Sequence, residues 1–340
     1  MGIGQHKTSQ RKASRKIAKL PSDEVYEPRE DSYLLKTFVE QYAAGHVLEI
    51  GVGSGLLTAT AAGMSAVKSV LGVDINPKAL KAAKDRVKGD KDAENKSDFK
   101  RSDLFSSVEG TFDTIICNPP YLPDEPSAPD LALDGGRHGY ELIVRLLDHV
   151  NDHLTQPGIM LLLFSSLSKK EKIDEAIENK CLTSTLLGER KLDFETLYVY
   201  KIEKSTLLRE LEMQGVSDVH KVARGKRGMI YKGYYKGLDI AIKAKHPASE
   251  AVEAINHEYK VLDFFRNEHL EFIPHVLFTG HHYFAYEFIK GQSIREFTER
   301  AKKKDIIDIL KKILGYMREL DELGFTKEEM HRPHKHIFID

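Results

Sequence analysis

From Val47 to about Ile202, short apolar runs alternate with stretches of helical periodicity, and that alternation admits few folds. A strand followed by a helix returns to pair in parallel with another strand, so helices come to cover the sheet faces. The apolar runs predict strands over Val47–Ile50, Ser69–Asp74, Phe99–Ser102, Phe112–Cys117, Ile159–Phe164, Thr183–Leu187 and Thr196–Ile202. Helices are expected over Leu56–Met64, Pro77–Val87, Tyr140–His153 and Lys169–Asn179. Asn76 is placed to cap the second of these and Pro77 to open it. Gln156-Pro157-Gly158 reads as a turn before a buried strand. Only Gly188–Glu195 joins the last two strands, which suits a hairpin. The expected fold is α/β, a Rossmann-like doubly wound sheet that is mostly parallel with an antiparallel edge hairpin.

Near Ser205 the pattern changes. A helix over Leu207–Met213 leads to hairpin-like strands at Val219–Arg224, Met229–Tyr235 and Leu238–Lys243, then a helix over Ser249–Phe265. A strand pair around Val276–Phe278 and Phe284–Phe288 precedes helices at Ile294–Lys302 and Asp305–Leu323. The expected organisation is a tail over 1–22, an α/β domain over 23–204 and an α+β domain over 205–340. With 340 residues the chain is long enough for two cores. Its net charge of −1 gives no global field favouring nucleic acid or membrane. Two cysteines make neither a disulfide framework nor a zinc site, and Cys117 sits in an apolar run. The longest apolar run, Ile159 to Phe164, is far too short to span a bilayer, and no signal peptide is visible, so a cytoplasmic location is expected. The tail carries Lys7, Arg11, Lys12, Arg15, Lys16 and Lys19 with no acid before Asp23. It reads either as a solvated disordered segment or as an arm for RNA or the ribosome.

Chemistry concentrates where the strands end. Gly51, Gly53 and Gly55 stand between the first strand and its helix, where glycine lets backbone approach a ligand closely. The spacing is G-x-G-x-G, not the dinucleotide G-x-G-x-x-G, and Glu49 just before it would repel a phosphate. A cationic ligand without phosphate, S-adenosylmethionine, fits better. Asp74 ends the second strand and is placed to accept ribose hydroxyls. Asp103 follows the third and can accept from an adenine amino group while Leu104 packs on the ring, or it is an ordinary turn residue.

Asn118-Pro119-Pro120-Tyr121 closes the fourth strand. An amide or aromatic amine is a poor nucleophile because its lone pair is delocalised. A site that accepts both N–H hydrogens fixes the nitrogen and aims that lone pair. The Asn118 carboxamide oxygen can accept one and the Pro119 carbonyl the other, neither proline offers a competing N–H, and the Tyr121 ring can stack on the planar group. Alone, the tetrapeptide also reads as a proline-rich exit that stops the strand. In order with the glycine turn, Asp74 and Asp103-Leu104, it points to methyl transfer onto a planar NH2 group. That group is either a glutamine amide or the exocyclic amine of adenine. A base reader would usually add a recognition domain and a basic face.

Residues 23 to 203 resemble the HemK-type glutamine methyltransferases in their archaeal and eukaryotic branch. The resemblance rests on Tyr26-Glu27-Pro28-Arg29-Glu30-Asp31-Ser32, Leu48-Glu49-Ile50-Gly51, Asp74-Ile75-Asn76-Pro77, Asn118–Tyr121 and Gly135-Gly136-Arg137-His138-Gly139. It implies a class I methyltransferase fold with S-adenosylmethionine held by Tyr26, Glu49, Gly51, Gly53, Gly55, Asp74, Ile75, Asp103, Leu104 and Asn118. It implies a protein substrate, the glutamine of the Gly-Gly-Gln loop in a class-one translation release factor, and a small zinc-containing activator protein. From the residues themselves, Gly135–Gly139 reads as a loop capping the cleft, with Arg137 holding either a substrate carbonyl or a carboxylate of its own domain.

The second half resembles the N-lobe of an atypical, RIO-like kinase. Ala223–Ile230 is similar to a kinase glycine loop with the first glycine replaced, leaving Gly225 and Gly228. Ile240-Ala241-Ile242-Lys243 matches the strand-three lysine motif, Glu258 is placed to pair with Lys243, and Tyr286–Gly291 resembles the hinge. Lys243 and Glu258 also read as a surface ion pair. His331-Arg332 resembles the start of the catalytic loop, but Pro333 replaces its aspartate and Phe338 its asparagine, and no D-F-G segment appears before Asp340. The expectation is an incomplete kinase-like module that binds ATP and Mg²⁺, or only docks, without phosphoryl transfer, or a truncated gene fusion; an alternative reading makes the chain chiefly a kinase-like nucleotide-binding or interaction protein. His331, His334 and His336 read as a remnant of that loop; a metal site there lacks a fourth ligand.

Overall fold

The computed structural model describes residues 25–124, 135–225, 228–245, 252–268, 270, 272–325 and 338–339. The chain divides into two compact units, the first closing at Glu203 and the second taking 177–183 together with everything from Lys204 onward. The basic tail, Lys226-Arg227 and the segment 331–337, with its histidines and Pro333, lie outside the described residues.

The first unit opens with α1 (Glu30–Tyr42), β1 (Gly45–Ile50), α2 (Leu56–Ala62), β2 (Val67–Asp74), α3 (Pro77–Val87) and α4 (Lys91–Lys96). There follow β3 (Ser97–Arg101), β4 (Phe112–Cys117), α5 (Glu141–Leu147), α6 (Val150–His153), β5 (Leu154–Ser165), α7 (Lys170–Asn179), β6 (Leu182–Lys191) and β7 (Thr196–Lys204). The sheet runs β3-β2-β1-β4-β5-β7-β6. Its first five strands pair in parallel, and β7 lies antiparallel to β5.

Ile50 pairs with both Val73 and Cys117, so β1, β2 and β4 end level. Gly51, Asp74 and Asn118 therefore share one carboxyl edge of the sheet, at the point between β1 and β4 where strand order reverses. Open α/β sheets bind ligands at that crevice. Beneath it Val47, Leu48, Ile115, Ile116, Leu161 and Leu163 are fully buried. On α1, Asp31, Leu35 and Val39 recur every fourth residue and form the buried stripe. The helix thus seats its first-turn carboxylate inside the molecule, where the helix dipole favours negative charge.

Three expectations need correction. Gln156-Pro157-Gly158 lies within β5, where Phe112 pairs with Leu154 and Thr114 already with Ile159. The turn is an irregularity inside one strand, with the proline confined to the unpaired stretch. The helix foreseen over Tyr140–His153 is two helices, because His149 N–H bonds Leu146 O at 3.2 Å and tightens the chain to an i−3 turn. The sequence reading also omitted α4, a polar helix with only Ala93 buried; Asp90 caps it by accepting from the amides of Asp92 and Ala93.

The second unit contains α8 (Thr206–Met213), β8 (Ser217–Arg224), β9 (Gly228–Tyr235), β10 (Leu238–Lys245), α9 (Val252–Asn267), β11 (Val276–Gly280) and β12 (Tyr283–Glu287). Two further helices are α10 (Ile294–Arg300) and α11 (Lys303–Glu322). Its antiparallel sheet runs β11-β12-β10-β9-β8, and Ile255 of α9 packs with Val276 and Phe284 over one face. Lys243 on β10 reaches Glu258 on α9 with both Nζ–Oε distances at 2.5 Å. Among the described residues no helix is long and apolar enough to cross a membrane.

Candidate active site

The crevice at the carboxyl edge opens into a cavity of about 750 Å³. It is lined by Tyr26, Glu49, Gly51, Gly53, Asp74, Ile75, Asp103, Leu104 and Asn118–Tyr121. The fold thus gathers nearly every residue singled out in the sequence. Within the methyltransferase-like half, Gly55 and Arg137 are the exceptions; Gly55 serves packing. It caps α2 at φ +80°, and a Cβ there would stand 2.5 Å from Ala83 Cα. It lets α2 and α3 touch, and is not among the described residues lining the cavity. Arg137 is exposed and also absent from that lining.

The glycine turn presents backbone to the cavity. A Cβ on Gly51 would meet nothing nearer than Asn118 O at 4.0 Å, and one on Gly53 nothing nearer than Tyr26 O at 3.7 Å. Asp74 buttresses the turn: Oδ2 accepts from Gly53 N at 3.2 Å and Oδ1 from Asn76 N at 2.8 Å. The Ile75 and Val52 amides also act on this carboxylate, which lines the cavity. Burial raises the Asp74 pKa against the opposing pull of these backbone bonds.

Acidic side chains outnumber basic ones in the lining, which includes Asp31, Glu49, Asp74, Asp103, Asp124 and Glu141. Among the described lining residues Arg145 is the one cation, and it pairs with Asp103 at 3.2 Å with both side chains about half exposed. That balance repels a phosphorylated ligand and suits a cationic one. Asp103 keeps free acceptor sites beside its arginine. The residues present therefore fit S-adenosylmethionine in charge and in the exposed backbone of the glycine turn.

Glu49 is 1% exposed and accepts a hydrogen bond from Thr58. Burial pushes its pKa from 4.5 up to about 8, outweighing the Thr58 bond, and the nearby Asp74 charge adds to the rise. A folded-state pKa above the unfolded one means the native state binds the extra proton between pH 4.5 and about 8. Over that window stability must fall as pH rises. A cation in the cleft opposes the shift, so donor binding releases a proton and strengthens with pH. The melting temperature of the ligand-free protein is expected to fall from pH 5 to pH 8, with Glu49→Gln flattening the slope. Thermal melts of both proteins across that range check it, and equal slopes would remove Glu49 as the cause.

Asn118 is held from outside the strand-end motifs. Its Nδ2 donates to Asp31 Oδ2 at 2.9 Å, the atom that also accepts from Tyr26 O–H at 2.9 Å. Asn118 Oδ1 is buried with no hydrogen-bond partner. Burial drives the Tyr26, Tyr121 and Cys117 pKa values upward, so each stays protonated at neutral pH.

The loop Gly135–Gly139 presses on the tetrapeptide. Gly135 N–H bonds Leu122 O at 2.8 Å, and a Cβ on Gly135 would come 2.6 Å from Pro120 O. Gly139, at φ +83°, leaves only 2.3 Å between such a Cβ and Tyr121 O. His138 folds back on Glu141 through its backbone N–H and its ring Nδ1, the latter at 2.8 Å. Ser168 Oγ donates to Tyr121 O at 2.7 Å. The sequence reading had not placed Asp31, Glu141, Arg145 or Ser168 at the site. For Asp31 a signal existed, since it belongs to the 26–32 segment and begins the apolar stripe of α1.

The methyltransferase small domain model matches residues 30–186. Over 182 residues the chain is 40% identical to a putative protein N5-glutamine methyltransferase of Methanocaldococcus jannaschii, spanning 52% of this chain and 90% of that protein. It is 30% identical over 195 residues to the human methyltransferase HEMK2, spanning 54% of this chain and 91% of the relative. A solved complex of E. cuniculi, Mtq2–Trm112, described as responsible for methylation of a translation termination factor, is 29% identical. That match covers 54% of this chain and 100% of the other, with a TM-score of 0.44. Through its first unit the chain belongs to the methyltransferase small-domain family, among the S-adenosylmethionine-dependent protein N5-glutamine methyltransferases.

Proposed function

We propose that the first unit methylates the side-chain amide nitrogen of a glutamine in the Gly-Gly-Gln loop of a class-one translation release factor. The observation that carries this reading is Asn118: its donor end is tied to Asp31, and its acceptor end is buried without a partner. A buried acceptor left unpaired costs roughly 1–3 kcal/mol, so a ligand N–H arriving there is rewarded. Asn118 Oδ1 takes one amide hydrogen and the Pro119 carbonyl the other, while Tyr121 stacks on the amide plane and Pro120 shapes the turn beneath it. Gly51, Gly53, Asp74, Ile75, Asp103 and Leu104 hold the donor, with Tyr26 covering it and Glu49 beneath. S-adenosylmethionine supplies an electrophilic methyl group whose leaving atom departs as a neutral thioether. The amide nitrogen gains the methyl and gives up one of its protons to water; because the methylated amide cation is strongly acidic, no general base is required of the half-buried Tyr26 and Tyr121. Arg137, exposed on the clamping loop, is assigned to the polypeptide around the glutamine. A small zinc-containing activator is proposed as a partner.

The test is transfer of label from S-adenosylmethionine to a purified release factor, its loop Gln→Ala variant, and oligonucleotides. Label on the first alone is expected. Label on an oligonucleotide would move the assignment to adenine N6.

For the second unit we propose a nucleotide-binding or docking module built like a kinase N-lobe. What supports it is the Lys243–Glu258 pair between β10 and α9, with Gly225 N–H bonding Gly228 O at 2.9 Å in the segment that resembles a kinase glycine loop. Because Pro333 and Phe338 replace the base and a metal ligand of the kinase pattern, weak ATP·Mg²⁺ binding without phosphoryl transfer is expected. Equilibrium binding and ATP-consumption assays on the full chain check this, with Lys243→Ala as control. Lys243-dependent autophosphorylation would refute it.

A further inference from the structure

Asp31 is 4% exposed and sits in the first turn of α1, away in sequence from every strand-end motif. Both its oxygens are engaged. Oδ1 accepts from Ser32 N at 2.6 Å and from Ser32 Oγ at 3.3 Å, and Oδ2 accepts from Tyr26 O–H and Asn118 Nδ2, each at 2.9 Å. A carboxylate only accepts, so the Asn118 atom facing it must be the NH2 group. Turning the carboxamide over would set two oxygens against each other at hydrogen-bond distance. It would also put a donor where Oδ1 now stands.

We propose that Asp31 is a positioning residue that fixes the polarity of Asn118. By claiming the donor end it leaves the acceptor end for the substrate, and so selects an NH2-bearing side chain over an isosteric carboxylate. Glutamine and glutamate differ in little else, and a site built from hydrogen bonds discriminates strongly where shape cannot. This rests on the glutamine reading above and adds the residue that sets its specificity.

Asp31→Asn is the informative substitution. One end of the new carboxamide becomes a donor. At the Oδ1 end that donor would face the Ser32 backbone N–H, which cannot reverse. At the Oδ2 end it would face the Tyr26 hydroxyl, which can rotate to accept, and Asn118, which can turn over. The second arrangement costs less, and it presents Asn118 Nδ2 to the substrate. Asn118→Asp in the same protein restores an acceptor, because one aspartate oxygen takes the N–H of the new carboxamide and the other is left for the substrate.

The full-length protein, saturated with the demethylated donor product, is titrated with two synthetic peptides that contain Gly-Gly-Gln or Gly-Gly-Glu. The wild type is expected to prefer the glutamine peptide, D31N to lose that preference by at least tenfold, and D31N/N118D to recover most of it. A general loss of affinity in D31N with the preference intact would reduce Asp31 to a structural role and overturn the proposal. So would a double variant no more selective than D31N. An independent readout needs no substrate: the ¹⁵N side-chain amide of Asn118, assigned by its loss in N118D. In the wild type its protons are expected to exchange slowly, and in D31N to shift. Fast exchange in the wild type would also overturn the proposal. A wild type indifferent to the two peptides, but with a protected amide, would instead refute the glutamine reading and leave Asp31 as the group that orients Asn118.

Discussion

Replacing Asn118 by alanine is expected to lower turnover by about 10²–10³-fold, or ~2.7–4 kcal/mol of barrier, comparable to removing one preorganised polar group from an active site. Donor affinity should change little, because the groups proposed to hold the donor are the glycine turn, Asp74, Ile75 and the Asp103 segment. Asn118 binds Asp31 and offers its oxygen elsewhere. The substitution removes the acceptor that orients the amide and leaves the lone pair free to wander from the line of attack. It also takes one donor from the buried Asp31 carboxylate, so a loss of about 1–3 kcal/mol in stability should accompany it. Calorimetric titration of the donor beside single-turnover methylation separates these effects. A variant that keeps most of its turnover would remove Asn118 from the reaction.

Asp74→Ala should fail one step earlier, at donor binding. The side chain pins the glycine turn through Gly53 N and Asn76 N, lines the cavity and is proposed to accept from the ribose hydroxyls. Each charge-assisted hydrogen bond lost is worth roughly 1.5–3 kcal/mol, so affinity for S-adenosylmethionine is expected to fall at least tenfold, and further if the turn loosens. The Asp74 pKa is raised, chiefly by burial, so its carboxylate is lost on acidification earlier than an exposed one would be. Wild-type affinity should therefore weaken as pH falls toward the carboxylate range, and that part of the pH dependence should vanish in the variant. Titrations of both proteins at several pH values measure it. An unchanged dissociation constant would mean that another acid holds the ribose.

The strand ends were legible because each motif is local. A glycine triplet, an aspartate after an apolar run, and Asn-Pro-Pro-Tyr all sit at the carboxyl ends of strands whose alternation with helices already implies a parallel sheet. Strand order then brings Gly51, Asp74 and Asn118 to one edge with no further information. Gly55 shows the limit of motif reading. It belongs to the same triplet, yet only the approach of Ala83 reveals that it serves helix packing. The clamp of Gly135 and Gly139 on Pro120 and Tyr121 is a backbone-to-backbone contact that leaves no trace in composition.

The sequence alone determined the alternation of elements, the order of the strand-end motifs and the type of chemistry those motifs can perform, because these depend on residue type and short-range spacing. Only the tertiary structure decided which side chain governs another. Asp31 and Asn118 are 87 residues apart and meet because α1 buries its first turn where β4 ends. Glu49 becomes a proton-binding group because the sheet removes it from water. Polarity, protonation and contact are properties of a neighbourhood, and the neighbourhood forms only when distant segments close around the same cleft.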